Sequence, residues 1–472
     1  MKKMTLLSTR PALLAALSAM ILLSGCGALL HTSYVTPATT VPSHWQQDTP
    51  AGDGLPADQW WRRFGDSQLD HLIDEALRRN NNLAAASIKV RRAQLSAGLA
   101  ADQQWPVLSA SIGTNNNRNL RGSPNAYNTS SANISLSYEA DLWGRLGSQY
   151  DAKKWEAQAT IEDRESTALT LIGTTANLYW QSAYLNQRLA LSSQSIAYAE
   201  KTQELVRVQY QAGAVSSLEM LEAEQNLAAQ QASRTDLLRQ QVETANALAL
   251  LFDNPPGQGY AIPATLPARP LPPLQAGMPT QLLSRRPDLR AAELRLRGSL
   301  ATVDATRASY YPTLTLTAAA GGSSNALRDV LQNPIATLGA GLVLPFLQWN
   351  QMQLNIKVSQ ADYELAVVNF RSTLYSAFGD VENALSARRQ YADQTVLLER
   401  NLQAAQAAER LYELRYRSGS VALKSWLDAQ EKRRTAEITL AQNRLDALKN
   451  QVTLYQALGG DMQTATTSVA AP

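Results

Sequence analysis

The sequence predicts an α+β chain built twice over, with four membrane-crossing strands carried on long helices. Three observations predict it. A strand–tip–strand stretch from Trp105 to Trp143 recurs: Pro106 and Pro312 stand 206 residues apart, and so do Trp143 and Trp349. The strand segments alternate with period two. Most of the remaining sequence reads as helix free of proline.

In the first copy Leu108, Ala110 and Ile112 alternate with Ser109, Ser111 and Gly113. Its second segment sets Ala132, Ile134, Leu136, Tyr138 and Ala140 against Ser131, Asn133, Ser135, Ser137, Glu139 and Asp141. In the second copy Leu314, Leu316 and Ala318 oppose Thr313, Thr315 and Thr317. The last segment sets Leu338, Ala340, Leu342, Leu344 and Phe346 against Thr337, Gly339, Gly341, Val343 and Pro345. Segments of roughly 10 residues with one apolar face cross a bilayer as tilted strands; the competing reading is the core strand of a sandwich. The tips, Asn115 to Tyr127 and Gly321 to Asn333, carry the Asn, Ser, Gly and Pro of hairpin loops.

The chain opens Met1-Lys2-Lys3, and an apolar run from Pro11 to Leu23 ends in Ser24-Gly25-Cys26. A basic end, a short apolar core and small residues read as a signal peptide over 1–25. The run is too short for a spanning helix of about 20 residues. Leu23-Ser24-Gly25-Cys26 resembles the lipoprotein signal box, whose cysteine is acylated. That predicts a covalent lipid on Cys26, and several acyl chains at about 0.8 kcal/mol per buried methylene anchor firmly. Gly27, not Asp, follows, which by the rule for such lipoproteins points to the outer membrane. Residues 26–58, with Pro37, Pro42, Pro50 and Pro56, read as an acylated, extended tether.

Cys26 is the single cysteine, so no disulfide forms within the chain and stability rests on packing. Apolar residues make up 45% and charged residues 18%, which fits a folded protein and is too polar for a helical membrane protein. Past the signal no apolar run reaches the roughly 18 residues of a spanning helix, so any crossing is by strands. A formal net charge of +3 with no basic block gives nucleic-acid binding no support. An enzyme would need a site. His31, His44 and His71 all precede the first strand, and no His-Glu-x-x-His or Gly-x-Ser-x-Gly occurs. Gly339-Ala340-Gly341 lacks the third glycine of a nucleotide loop and sits in a strand. Met220, Met278, Met352 and Met462 form no thioether ladder for soft metals. No catalytic residue, metal site or cofactor is assigned.

The 206-residue offset extends beyond the strands. Leu83 matches Leu289, Asn177 matches Asn383, Tyr210 matches Tyr416, Gly213 matches Gly419 and Leu221 matches Leu427. Such register marks an internal duplication, with repeats over 59–252 and 280–460. Each reads helix, hairpin, long helix, short break, helix. The first long helix runs from about Gly147 to Gln211. Leu189, Ser192, Ile196, Ala199, Gln203, Val206 and Tyr210 hold a 3,4 spacing along it; Leu354, Val358, Ala361, Leu365, Val368, Ser372 and Tyr375 do so in the second. That spacing suits a coiled-coil seam. The helices break at Ala212-Gly213-Ala214 and Ser418-Gly419-Ser420, then resume to about Phe252 and Leu458. Residues 253–279, with eight prolines, read as an irregular surface linker, and 461–472 as a disordered tail.

Four strands cannot close a barrel, which takes about eight. An open sheet in lipid leaves unpaired edge groups, each costing several kcal/mol. Copies of the chain must therefore share one barrel. Two give eight strands with a packed interior; three give twelve and a wider lumen.

The lipoprotein box, Trp60-Trp61 with Gly65-Asp66, Arg285-Arg286-Pro287-Asp288-Leu289, Tyr310-Tyr311-Pro312, the paired Tyr-x-x-Gly turns and Leu427-Asp428-Ala429-Gln430 together resemble the TolC-like outer-membrane efflux family, in its lipoprotein branch. The resemblance covers about residues 58 to 460. It implies a homotrimer with a shared twelve-stranded β-barrel and a long periplasmic α-barrel. It further implies an exit duct for small molecules, docked to a periplasmic adaptor and an inner-membrane pump. An outlet for metal ions or secreted protein is the alternative within the channel class, and a non-conducting trimeric stalk is the alternative outside it. In relatives a Tyr-Arg pair before the second turn's glycine and an acidic residue on the next helix help form the periplasmic aperture. Tyr416, Arg417, Gly419 and Asp428 stand at the matching places, with Tyr210, Gly213 and Glu222 equivalent in the first repeat. Ser425 occupies the place where some relatives carry a second Asp. On this reading Tyr416 and Arg417 bond a neighbouring helix and Asp428 narrows the lumen. On the plainer one Arg417 caps a helix end, where a cation gains about 0.3–1 kcal/mol, and Asp428 faces solvent.

Overall fold

Local signals set where each helix starts. Asp66 accepts hydrogen bonds from the Gln68 and Leu69 amides and so opens α1 (Ser67–Arg79). Asn80 does the same for α2 (Asn81–Asp102), through the Asn82 and Leu83 amides. After α2 come β1 (Val107–Arg118) and β2 (Ala126–Ala140), then α3 (Arg145–Gln211) and α4 (Ser217–Leu251). The second repeat follows with α5 (Leu282–Arg285), α6 (Pro287–Ala308), β3 (Thr313–Ser324), β4 (Ile335–Val343), α7 (Trp349–Arg417) and α8 (Leu423–Ala457). The computed structural model describes residues 30–47, 59–118, 121, 126–274, 276–332 and 334–460. The signal segment, Cys26, residues 48–58 of the tether and the tail 461–472 lie outside the described residues. Two compact units make up the chain.

One unit comprises Met1–Thr39, Ile88–Glu162 and Ala291–Ser372 and contains the sheet. Its order is β1-β2-β3-β4, antiparallel throughout. Register puts Leu108 opposite Leu136, Leu136 opposite Ala318, and Ala318 opposite Leu338, so one face is a continuous apolar band. Nothing among the described residues covers that band: Ile112 is 76% exposed and Leu338 86%. A sandwich core is thereby excluded, and an open apolar face of this kind belongs in lipid. The opposite face carries Ser109, Ser111, Asn133, Ser135, Ser137, Thr315 and Thr317; Ser109 and Ser135 share a 2.7 Å hydrogen bond across it. Trp105, Trp143, Tyr311 and Trp349 stand where the strands meet the helices. Trp143 donates to the Pro312 carbonyl at 2.8 Å and packs on Tyr311 with ring centroids 4.9 Å apart. Such aromatics mark a membrane interface. No described helix is long and apolar enough to cross a membrane.

The strands depart from their predicted ends at three places. β1 continues to Arg118 and β2 begins at Ala126, because Asn115, Asn116 and Asn117 pair with Thr129, Asn128 and Tyr127. Asn116 also donates to Asn128 through their side chains at 2.8 Å, so polar ladder bonds extend the hairpin beyond the apolar band. Likewise β3 continues through Gly321 to Ser324. Conversely, Leu344 and Phe346 are not in β4: Pro345 lacks the N–H a ladder needs and opens a 3₁₀ turn over Pro345–Leu347.

The N-terminal stretch is held, not free. Thr32 donates from its amide and its hydroxyl to the two carboxylate oxygens of buried Asp304, both at 2.7 Å, and Tyr34 lies against the Arg297 guanidinium.

The other unit comprises Thr40–Ser87, Asp163–Arg290 and Thr373–Pro472 and contains the main core. Trp60 stacks on Tyr455 at 4.8 Å, and Trp180, Tyr179, Phe252, Leu69 and Ile73 are buried around them. Residues singled out by motif are structural here. Gly65 has φ 62° in the turn before the Asp66 cap. Arg286 bonds Asp288, Asp380 and the Ala457 carbonyl. The described residues of 253–278 form no regular element and Pro279 opens a 3₁₀ turn, yet Leu266, Leu274 and Ala276 are buried in this core. The linker therefore runs irregularly but is not confined to the surface. The seam on α3 also differs: Ser195, Ala199, Thr202 and Val206 are buried, while Tyr210, at the helix end, is exposed. Small residues there let the neighbouring helix approach closely.

Candidate functional site

Both helical hairpins turn on the same backbone device. Gly213 has φ 69° and Gly419 has φ 74°. Each glycine N–H bonds the carbonyl three residues back, Tyr210 or Tyr416, at 2.9 Å, and the next amide bonds the carbonyl five back, from Ala214 to Gln209 and from Ser420 to Arg415. This is the Schellman arrangement, which needs a left-handed residue and so favours glycine. Apart from the adjoining residues, no described atom lies within 4 Å of where a Cβ would stand on either glycine, so conformation alone selects the residue. Ser216 then caps α4, with Glu219 reaching back to its amide; Ala422, before α8, provides no side-chain cap.

A small second core joins the two turns. Val206, Ala223, Tyr416, Leu423 and Trp426 are buried together, flanked by Tyr198, Leu205, Val215, Met220 and Val421. Tyr416 stacks on Trp426 with centroids 5.2 Å apart, and Tyr198 meets Trp426 edge-on at 6.0 Å. At this small core two hydrogen bonds cross from one repeat to the other. Tyr416 donates to Gln209 Oε1 at 2.7 Å, and Tyr198 donates to Glu413 Oε2 at 3.3 Å. Burial first, then the Glu413 and Glu409 carboxylates, pushes the Tyr198 hydroxyl up to about 12. Burial, then Glu219, raises Tyr416 as well. Both are neutral donors at physiological pH.

The matching residues do not all converge. Tyr416 bonds a neighbouring helix, whereas Arg417 reaches back one turn to Glu413 at 2.7 Å and is 62% exposed. The i,i+4 spacing on one helix face explains this. Asp428 is exposed and lies 3.7 Å from Lys424 on its own helix. Such surface pairs contribute about 0–1 kcal/mol, so both side chains are free to exchange partners. Glu222 is half-buried beside Ala223, and Tyr210 is exposed. Among the described residues no group of His, Cys, Asp and Glu is placed to hold a metal ion.

The duplicated helix–hairpin–helix plan is matched by the model of the outer membrane efflux protein family over residues 72–252 and 278–460. The chain belongs to that family. This efflux protein is 34% identical over 456 residues to the pyoverdine export outer membrane protein OpmQ of Pseudomonas putida, covering 92% of this chain and 96% of the relative. It is 26% identical to the probable outer membrane lipoprotein SilC of Salmonella typhimurium, covering 95% and 98%. Among solved structures, the open state of the Neisseria gonorrhoeae MtrE outer membrane channel superposes with a TM-score of 0.80 at 28% identity, covering 91% of this chain and 98% of that one. The efflux protein is thus an outer-membrane channel and not an enzyme.

Sequence reasoning missed Trp426, Tyr198, Gln209 and Glu413. The Glu413–Arg417 spacing was there to be read. Trp426, whose equivalent in the first repeat is Met220, was signalled by a lone large aromatic on a polar helix just past a glycine turn.

Proposed function

We propose that three copies of the efflux protein close one duct for small organic molecules, with the paired turns forming its gate. The observation that carries this reading is the pair of open edges in the sheet-containing unit. β1 and β4 are exposed along their whole length and, among the described residues, have no second neighbouring strand. The flanking helices repeat the pattern: Ile88, Leu95 and Leu99 on α2, and Leu354, Val358, Leu365 and Val368 on α7, are all exposed. Joining β1 and α2 of one copy to β4 and α7 of the next covers both stripes and closes a head-to-tail ring. Twelve strands leave a lumen, whereas eight are filled by side chains.

The gate is the Tyr416–Gln209 bond with the Trp426 cluster behind it, and exposed Arg417 and Asp428 are available to a neighbouring copy. Gly213 and Gly419 set the turns, with Tyr210 and Glu222 on the first repeat's side. Cys26 carries the lipid, as its signal box and the relative named a lipoprotein support. Similarity to a pyoverdine export outer membrane protein supports an organic cargo, delivered by an inner-membrane pump through a periplasmic adaptor. Native mass measurement of the detergent-extracted complex tests the assembly. A trimer is expected, and a stable monomer or dimer refutes it.

A further inference from the structure

Of the residues in the four strands, two are charged, Arg118 and Glu139. They sit differently. Arg118 lies at the far end of β1, beyond the apolar band, on the face shared by Thr114 and Asn116. Glu139 lies at the other end, opposite Thr315 and in line with Ser137, Ser135 and Asn133. That face is polar along β1, β2 and β3, and when the apolar face meets lipid it lines the lumen. Glu139 is therefore the one strand carboxylate in the wall of the duct, where strand gives way to helix.

Its charge is not left open. Arg145, the first residue of α3, donates Nη2 to both Glu139 oxygens at 2.7 Å and Nε to Oε1 at 3.1 Å; its Nη1 lies 3.5 Å from Gln149 Oε1. Both side chains are partly covered, at 22% and 28% exposure. The nearby Asp141 carboxylate is directed at the Gly147 amide, 2.8 Å away, in the first turn of α3. A forked guanidinium–carboxylate pair of this kind is fixed in geometry as well as charge. The remaining wall offers hydroxyls, amides and glycine, with Val107, Ala319, Ile335 and Val343 among them, and no further charge within the strands.

We infer that Arg145 is a specificity-determining residue of the duct. By neutralising Glu139 it keeps that carboxylate from adding a ring of fixed negative charge to the barrel's lumen, so cations gain no preference from it. This rests on the three-copy duct proposed above. The size of the effect follows from geometry. Twelve strands about 4.8 Å apart, tilted about 40°, give a backbone radius of about 12 Å. Side-chain charges then stand about 10 Å from the axis, roughly one Debye length at ~0.1 M salt. Three unpaired carboxylates there favour a cation and disfavour an anion about twofold each, so the permeability ratio moves about fourfold. At ~1 M salt the Debye length is about 3 Å and the shift vanishes.

The test is the reversal potential of the full-length complex in a potassium chloride gradient across a planar bilayer. Arg145→Gln is expected to shift it toward cations and Glu139→Gln toward anions. The double change Glu139→Gln with Arg145→Gln is expected to restore the wild-type value, and Arg145→Lys to stay close to it. Single variants that conduct normally with an unmoved potential overturn the inference, as do shifts of equal size at ~1 M salt. If a single variant does not assemble, the charge swap E139R with R145E decides: a wild-type potential supports the inference and a displaced one overturns it. A complex that passes no current even with the gate loosened by Tyr416→Phe overturns the duct itself, and this inference with it.

Discussion

Replacing Tyr416 by Phe removes one hydroxyl and keeps the ring that stacks on Trp426 at 5.2 Å. What is lost is the 2.7 Å bond to Gln209, made across 207 residues of sequence between the two repeats. A hydrogen bond between neutral groups contributes about 1 kcal/mol net. Gln209, at the helix end, recovers a water partner, so no added penalty for a stranded buried acceptor is expected. Three copies that open together lose about 3 kcal/mol of closure. Each 1.4 kcal/mol is a factor of ten, so the open population rises about a hundredfold. The raised Tyr416 hydroxyl keeps the wild-type bond intact across physiological pH. Open probability of single wild-type and Tyr416→Phe channels, recorded without adaptor, measures the ratio. An unchanged open probability in a variant that assembles normally refutes the reasoning, because the bond would then be present equally in closed and open states.

Trp426→Ala removes the largest buried side chain of the small tip core and is expected to destabilise it by about 3–5 kcal/mol; hydrogen exchange should accelerate around residues 205–223 and 416–430 while the main core around Trp60 stays protected. Tyr198 titrates at about 12 in the folded tip against about 10 unfolded. Its contribution is full below about pH 10 and is lost as pH rises through about 12, so tyrosinate absorbance should show a late phase that Tyr198→Phe removes. Cys26→Ala is expected to abolish palmitate incorporation while the strands still insert; continued labelling contradicts lipid attachment at Cys26.

The duplication made most of the architecture legible. A repeat that carries Pro106 to Pro312 and Gly213 to Gly419 on one offset cannot hold for strands alone, so the helices and turns came with it. Strand ends were less legible. Asn115 to Asn117 read as loop by composition, but cross-strand partners override that preference. Alternation alone carried Leu344 and Phe346 into a strand that Pro345 terminates. At the tip, Tyr416 was found because it is duplicated. Trp426 was not, since an aromatic at one helical position leaves no period. Arg417 pairs within the chain with Glu413, one turn back on the same helix face, an i,i+4 partner for which motif matching does not look. Which apolar stripe is buried inside a chain and which awaits another copy was not legible either. Val358 and Leu365 on α7 have the same spacing as Ala199 and Val206 on α3, and only the folded chain shows the former exposed.

Single-channel current of the full-length complex in a planar bilayer, taken on particles whose native mass is that of three chains, separates a duct from a stalk. A lumen closed by twelve strands predicts discrete, ohmic openings that occur more often once Tyr416 is replaced by Phe. Membrane-inserted trimers that pass no current under any of these conditions would contradict it, leaving a packed stalk in place of a duct.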